Sequence, residues 1–269
     1  GGAIYWNEPN GIITNSNFTG NTATRFGGGV YWYGDKGTLS DCNFINNKAN
    51  EDGGAIIWNK PNGIINNSNF ISNSAKKNGG AIHWNIATNG SLSNSKFTSN
   101  SAYNGGAVYY TGSSSFNSLI NSTFNSNIAT RAGGAVYWIA INSTMIGCNL
   151  TNNNAIYGDN VYWYWSVNEF LNKYGQINDY DYVFIKNGTG TPNSSINLNK
   201  KGITITSNND VIFDAKGGNV HFEITGNDIL IENLSFRNFN FTDRGGAMNW
   251  TGNNGTLKNC KFINNTAKN

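Results

Sequence analysis

The sequence is poor in charged residues, which make up 12% of its 269 residues and roughly half the share usual in soluble domains. Asparagine fills the difference, at about a fifth of the chain, together with glycine, serine and threonine. This composition is unusual for a cytosolic metabolic enzyme. The net charge is only +3, and no stripe of lysine and arginine is present that would neutralise a run of phosphates. We therefore expect no nucleic-acid partner.

Long apolar runs are also missing from the sequence. None approaches the roughly 20 residues that a membrane-spanning helix needs, so no membrane span is predicted. The chain also lacks the positively charged start and short apolar stretch of a signal peptide. Because it begins inside a repeated phrase, we expect a fragment of a longer protein rather than a cytosolic one.

Cysteine and histidine are scarce, with three and two residues. Cys42, Cys148 and Cys260 lie far apart, in a slot that serine holds in other repeats, as at Ser68. A metal site needs clustered ligands, and the sequence has neither a Cys-x-x-Cys motif nor a histidine cluster. We therefore predict small buried thiols, no metal and no cofactor. His83 occupies a slot that tyrosine holds elsewhere, and we expect it to be a surface residue.

What the chain does contain is a repeat. A Gly-Gly phrase or its variant recurs every 25 to 28 residues through the first part of the chain. An aromatic residue follows five residues later each time, and a Phe-x-x-Asn phrase recurs in step. A fixed period of this length indicates a repeat architecture. The phrase begins at Gly1, Gly27, Gly53, Gly79, Gly105, Gly133, Gly158 and Gly245.

The repeat has the pattern of strands rather than helices. Apolar residues alternate over short β-branched and aromatic runs bounded by glycine and asparagine, with Ile4 and Trp6 on one side and Tyr5 on the other. Three residues before each Phe or Leu stands an Asn, Asp or Gly, the residues that tolerate a left-handed corner. Each repeat therefore holds about three strands and makes one coil of an all-β parallel β-helix (β-solenoid), with about 26 residues per coil. A propeller blade would need about 40 residues.

The phrase disappears in the middle of the chain. The spacing of Val167, Phe170 and Leu171 predicts a short helix there. We expect 1–165 to form one β-helix stack and 166–201 to form a cap or linker with that helix. Residues 202–269 are expected to start a second stack that continues beyond the chain. The alternative for the middle segment, a ligand-binding insertion, has no chemical signature in the sequence.

These motifs carry a family resemblance. The pairing of Gly-Gly-[Ala/Gly]-[Ile/Val] with Phe-x-x-Asn resembles the repeat of the chlamydial polymorphic outer-membrane proteins. With its abundant Asn and Thr, the chain is more similar still to the adhesin-like surface proteins of methanogenic archaea. The resemblance covers 1–165 and 245–269. It implies a right-handed parallel β-helix, an extracellular location at the cell surface and an adhesive role, with glycans or surface proteins of other cells as partners.

An outward column on the first strand of each repeat gives the binding hypothesis. If Ile4 and Trp6 point inward, the residue between them points outward in every coil. The column is Tyr5, Tyr31, Ile57, His83, Tyr109, Tyr137 and Tyr162. A flat aromatic strip of this kind suits sugar rings or partner proteins. The alternative is that the ladder only stabilises its own sheet by cross-strand stacking.

Two further hypotheses concern enzyme activity and assembly. A polysaccharide-acting enzyme is disfavoured because the acids do not recur in register, and Asp179 and Asp181 form the only close pair. Joining the end of the chain to its start gives a Trp250-to-Trp6 spacing of 25. That spacing fits a tandem array or an end-to-end self-associating filament.

Thirteen Asn-x-Ser/Thr sequons are present, and outward-facing ones are expected to carry glycans if the chain is secreted. The candidate glycosylation sites are Asn17, Asn66, Asn142, Asn187 and Asn249.

Overall fold

The computed structural model describes residues 1–86, 88–111 and 115–268, and it divides into two compact units, Gly1–Tyr162 and Trp163–Asn269. Both consist of short parallel strands that pair with the equivalent strands one coil away. The predicted all-β parallel β-solenoid with about 26 residues per coil is therefore confirmed.

The first five coils of the first unit carry four strands each rather than the expected three, and equivalent strands form sheets 1 to 4. Sheet 1 contains Ile4–Trp6, Val30–Trp32, Ile56–Trp58, Ile82–Trp84, Val108–Tyr110, Val136–Trp138 and Val161–Trp165, the last of which crosses into the second unit. Sheet 2 contains Ile12–Thr14, Thr38–Ser40, Ile64–Asn66, Ser91–Ser93, Ser118–Ile120 and Thr144–Ile146. Sheet 3 contains Asn17–Thr19, Asn43–Ile45, Asn69–Ile71, Lys96–Thr98, Thr123–Asn125 and Asn149–Thr151. Sheet 4 contains Thr22–Ala23, Lys48–Ala49, Ser74–Ala75, Ser101–Asn104 and Ile128–Ala132.

The core of this unit consists of in-register ladders of like residues. Strand pairing places Trp32 on Trp58, with ring centroids 4.4 Å apart, and Phe70 on Phe97, at 4.8 Å. Such stacked pairs contribute about 0.5–1.5 kcal/mol each beyond the burial of their area. The predicted corners are also confirmed, because Asn15, Asp41, Asn67, Asn94, Asn121, Gly147 and Asn259 all have a positive φ.

The second asparagine column lies inside the solenoid and links the coils. Asn100 is fully buried, and its Oδ1 accepts hydrogen bonds from the backbone N and Nδ2 of Asn73, both at 3.0 Å. Its own Nδ2 donates to the Phe70 carbonyl at 2.9 Å and to Asn127 Oδ1 at 3.0 Å. The same arrangement repeats through Asn47, Asn73, Asn127 and Asn153. The ladder thus satisfies polar groups that would otherwise be costly to bury.

The predicted short helix lies near the start of the second unit. Helix α1 spans Val167–Lys173, and a capping box between Ser166 and Glu169 fixes its start. A 3-10 turn follows at Tyr174–Gln176. Within the described residues, no helix combines the length and the apolarity needed to span a membrane.

The strands of the second unit pair in parallel along three main columns. Tyr182–Ile185 and Gly188–Gly190 both pair with Thr204–Asp214, which pairs with Leu230–Arg237. The remaining strands are Ile196–Leu198, Phe222–Ile224, Asn240–Phe241, Met248–Trp250, Thr256–Lys258, Lys261–Ile263 and Thr266–Ala267.

The last coil leaves Leu257, Phe262 and Ile263 exposed. End-to-end self-association through such residues stays a prediction.

The three thiols are free, but only Cys42 is buried as predicted; Cys148 and Cys260 are partly exposed. Cys42 Sγ donates to the Ser40 carbonyl at 3.1 Å, in the place where Ser68 Oγ donates to the Asn66 carbonyl. The thiol therefore substitutes for a hydroxyl in a structural column.

Candidate functional site

The predicted tyrosine strip is the middle position of each sheet 1 strand. Strand pairing sets Tyr5 against Tyr31 and Tyr109 against Tyr137. Within each strand the two flanking side chains face the core, so the middle side chain lies on the outer face. We call the column Tyr5, Tyr31, Ile57, His83, Tyr109, Tyr137 and Tyr162 the tyrosine strip.

The rings of the strip stack on one another. Tyr109 and Tyr137 have centroids 4.9 Å apart and planes inclined by 14°, and Tyr137 and Tyr162 are at 4.6 Å and 7°. Tyr5 and Tyr31 stack at 5.2 Å and 15°. The faces of neighbouring rings therefore contact each other, which differs from the expected strip of open faces. What remains exposed is mainly the ring edges, and only Tyr5, at 59%, is more than half exposed.

The middle of the strip is buried. His83 is 5% exposed and Ile57 is 3% exposed, so the prediction that His83 is a surface residue was wrong. The reason is that Asp52 and Tyr109 enclose the imidazole: its Nδ1 lies 3.8 Å from Asp52 Oδ2, and Tyr109 packs edge-on at 5.0 Å. Burial lowers the pKa of His83 to about 3 and raises the pKa of Asp52. His83 therefore divides the strip into two tyrosine clusters. The first consists of Tyr5 and Tyr31, and the second consists of Tyr109, Tyr137 and Tyr162.

A ladder of charged side chains accompanies the strip, and the sequence analysis missed it. Glu51 accepts from Arg25 Nε at 3.0 Å and from Lys77 Nζ at 2.8 Å, each one coil away. Hydrogen bonds from Lys77 and Arg25 lower the pKa of Glu51. Arg25, Tyr5 and Tyr31 line a groove of about 510 Å³. The signal that reveals this ladder is opposite charge repeated at the period of 26 residues.

Asp179 and Asp181, the close acidic pair in the sequence, accept hydrogen bonds from neighbouring protein groups. Asp181 is buried, and its Oδ2 accepts from Trp163 Nε1 at 2.7 Å and from the Asn178 amide at 2.9 Å. Asp179 Oδ1 accepts from the Lys201 amide at 2.8 Å. Among the described residues, no group of three or more His, Cys, Asp and Glu is arranged to hold a metal ion.

The candidate glycosylation sites differ in their exposure. Asn17, Asn142 and Asn187 are exposed, whereas Asn66 and Asn249 are partly buried. The Asn249 amide donates to a glutamate one coil earlier, and Asn66 Oδ1 accepts hydrogen bonds from two side chains of the following coil. Glycosylation at these five positions stays a prediction, with the first three sterically most open to it.

Comparison with protein-family models gives three matches to the Chlamydia polymorphic membrane protein repeat, at residues 41–56, 67–83 and 121–137. Each segment runs from a left-handed corner through sheets 3 and 4 and ends within the next strand of sheet 1. The repeat is similar to the chlamydial one. No curated protein matches the chain in sequence.

Among solved structures, the chain has a weak similarity to that of the Streptococcus pneumoniae surface protein and adhesin PfbA. It is 13% identical, with a TM-score of 0.27, and the alignment covers 90% of this chain and 67% of that chain. The resemblance to surface proteins of methanogenic archaea stays a prediction.

Proposed function

We propose that this protein is a non-enzymatic, extracellular surface protein of adhesin-like type, whose solenoid presents the tyrosine strip to glycans of partner cells. The observation that carries the proposal is the strip itself. Sheet 1 buries its tryptophan column, as at Trp84 and Trp138, yet leaves Tyr109, Tyr137 and Tyr162 partly exposed on the other face. The similarity of three coils to a chlamydial membrane-protein repeat supports a location at the cell surface.

The geometry favours one mode of binding over another. Because the ring faces contact each other, a sugar ring cannot stack on them as it does on an isolated aromatic residue. The strip instead offers ring edges and phenol hydroxyls, repeated at the ~4.8 Å spacing of paired strands. Such a row suits an extended glycan with hydroxyls at regular intervals. Burial also raises the pKa of Tyr109, so its hydroxyl stays protonated at physiological pH.

Catalysis is not part of the proposal. Hydrolysis of a glycosidic bond requires two carboxyl groups flanking the bond, one as an acid and one as a base or nucleophile. Asp181 is buried under hydrogen bonds to Trp163 and Asn178, and Glu51 is paired with two cations. These acids hold the structure together.

The test is a triple substitution that keeps the stack and removes the hydroxyls: Tyr109→Phe, Tyr137→Phe and Tyr162→Phe. We expect it to abolish binding on a glycan array and to leave the melting temperature close to that of the wild type, because phenylalanine stacks equally well. Tyr180→Phe, at an exposed tyrosine of the second unit, is the matched control.

The opposite outcome is equally clear. If the triple phenylalanine variant binds like the wild type, while a triple serine variant only lowers the melting temperature, the strip is a structural ladder and the proposal fails. If the wild type gives no glycan signal but attaches to partner cells, and the triple phenylalanine variant loses that attachment, the strip binds a protein partner instead.

A further inference from the structure

A small recess in the second unit brings together polar side chains that the rest of the fold does not use. It has a volume of about 200 Å³ and lies between helix α1 and the segment 191–196. Asn168 and Asn172, four residues apart on the helix, form one wall, and Thr191, Asn193 and Ser194 form the other. Leu171, Pro192 and Ile196 complete the lining with apolar surface.

The five polar side chains of the recess share one property. Within residues 1–86, 88–111 and 115–268, the side chains of the five polar residues of this recess make no hydrogen bond. Many asparagine side chains of the first unit are instead paired from coil to coil, as between Asn43 and Asn69 at 2.9 Å. The recess thus collects amide and hydroxyl groups that remain available to a ligand.

Both walls of the recess are held firmly. The capping box of Ser166 and Glu169 fixes the start of the helix, and the helix packs so closely on Gly190 that a Cβ there would collide with Val167 and Leu171. The second wall is anchored at its far end, where the His221 amide donates to Ser195 Oγ at 3.1 Å and the Ile196 amide donates to the His221 carbonyl at 2.9 Å. A recess built on fixed elements loses little entropy when a ligand binds.

The chemistry of the lining defines the ligand class. No charged side chain lines the recess, so an ionic ligand would gain no partner there. Amides and hydroxyls around apolar surface match a molecule with several hydroxyls on a carbon ring. The volume lies below the roughly 300–1,000 Å³ of sites for drug-sized ligands, so it fits a single ring.

We propose that this recess is a second binding site, which takes one neutral monosaccharide unit and is independent of the tyrosine strip. Asn168 and Asn172 bind ring hydroxyls from the helix, and Asn193 binds them from the facing segment. The apolar floor of Leu171 and Ile196 contacts the C–H face of the ring. No sequence motif marks the recess, because its walls come from two separate stretches of the chain.

The experiment is titration of the intact chain with galactose, glucose, mannose and N-acetylglucosamine, followed by NMR of the side-chain amide groups. Glucuronic acid tests the exclusion of charge, and glycerol tests whether any polyol binds. We expect a Kd on the order of millimolar for at least one neutral sugar. The double variant Asn168→Ala and Asn172→Ala is expected to weaken binding at least tenfold, and Asn199→Ala, at an exposed asparagine outside the recess, to leave it unchanged.

Several results would overturn the inference. Equal binding of glycerol and the sugars would mean a polar crevice without selectivity. Saturable sugar binding that survives the double variant but is lost with Tyr109→Phe, Tyr137→Phe and Tyr162→Phe would place the sugar on the tyrosine strip alone. Absence of any saturable shift with the four sugars would refute the site directly. Because both asparagines are exposed, circular dichroism is expected to show the variant folded, so that lost binding reports on the recess.

Discussion

The interior asparagine ladder predicts that a single amide removal destabilises several coils. In Asn100→Ala, the backbone N–H of Asn73 and one Nδ2 hydrogen of Asn73 lose their acceptor, Asn100 Oδ1, at 3.0 Å each. Asn73 is completely buried, so water does not replace that acceptor. An unsatisfied buried group costs about 1–3 kcal/mol, so two such donors give a loss of about 2–6 kcal/mol.

The matched control lies in the outer asparagine ladder of sheet 3. Asn69 Nδ2 donates to Asn43 Oδ1 at 2.9 Å, but Asn69 is only partly buried and water can replace the bond. We therefore expect Asn69→Ala to cost less than about 1 kcal/mol. Both substitutions remove one amide from one coil, but the Asn100 side chain makes four hydrogen bonds inside the core and the Asn69 side chain makes one at a partly exposed position.

The assay combines guanidinium unfolding with amide hydrogen exchange. Unfolding gives the difference in free energy between the two variants, and exchange reports the Asn73 amide itself. We expect Asn100→Ala to lower the unfolding midpoint well below that of Asn69→Ala and to remove protection of the Asn73 amide. Equal midpoints for the two variants, with the Asn73 amide still protected, would refute the reasoning.

Three further predictions follow from buried groups. Burial lowers the pKa of His83 to about 3, so below about pH 6.5 the unfolded chain binds a proton that the folded chain does not. The free energy of unfolding therefore decreases as the pH drops from about 6.5 to about 3, by up to about 1.4 kcal/mol per pH unit. The raised pKa of Asp52 partly opposes this loss, and unfolding midpoints of wild type and His83→Phe between pH 7 and 5 measure it. A Cβ in Gly80→Ala would collide with the Gly106 carbonyl of the next coil. At Gly20, where φ is +70°, an added Cβ would meet open space, so Gly20→Ala is expected to cost only about 1–2 kcal/mol of backbone strain. The melting temperature is therefore expected to drop far more in Gly80→Ala than in Gly20→Ala. Burial raises the pKa of both the Cys42 and the Cys148 thiols, but only Cys42 is fully buried, so thiol mapping by mass spectrometry is expected to find Cys42 labelled last in the native protein.

Each of these has a result that contradicts it. Parallel pH profiles for wild type and His83→Phe would mean that the imidazole is protonated in the folded state. Equal melting temperatures for Gly80→Ala and Gly20→Ala would mean that adjacent coils separate at little cost. Labelling of Cys42 ahead of Cys148 would mean that the first unit opens locally.

The sequence predicts the fold well because a fixed period places like residues in register. The tryptophan and phenylalanine columns, the corners and the helix at 167 all follow from spacing and residue type. The fourth strand of the first five coils was missed because most of its copies are too short to show alternation. Ser72 and Ser99 also adopt a positive φ of 55° and 56°, which serine alone does not indicate. His83 was misplaced because burial of an outer-face residue depends on neighbouring turns, here the one that carries Asp52.

Asparagine shows why the candidate sites are harder to predict than the fold. Asparagine stands at positions 69, 100 and 172 in similarly polar stretches of sequence. The three side-chain amides nevertheless differ in burial and in hydrogen bonding. The amide of Asn100 is used entirely inside the solenoid, that of Asn69 is paired on the surface, and that of Asn172 lines a recess without a bond to the described protein. Stability should therefore respond to substitution of Asn100 and ligand binding to substitution of Asn172. Pairing of the amide, rather than residue type, separates structural asparagines from those available to a ligand.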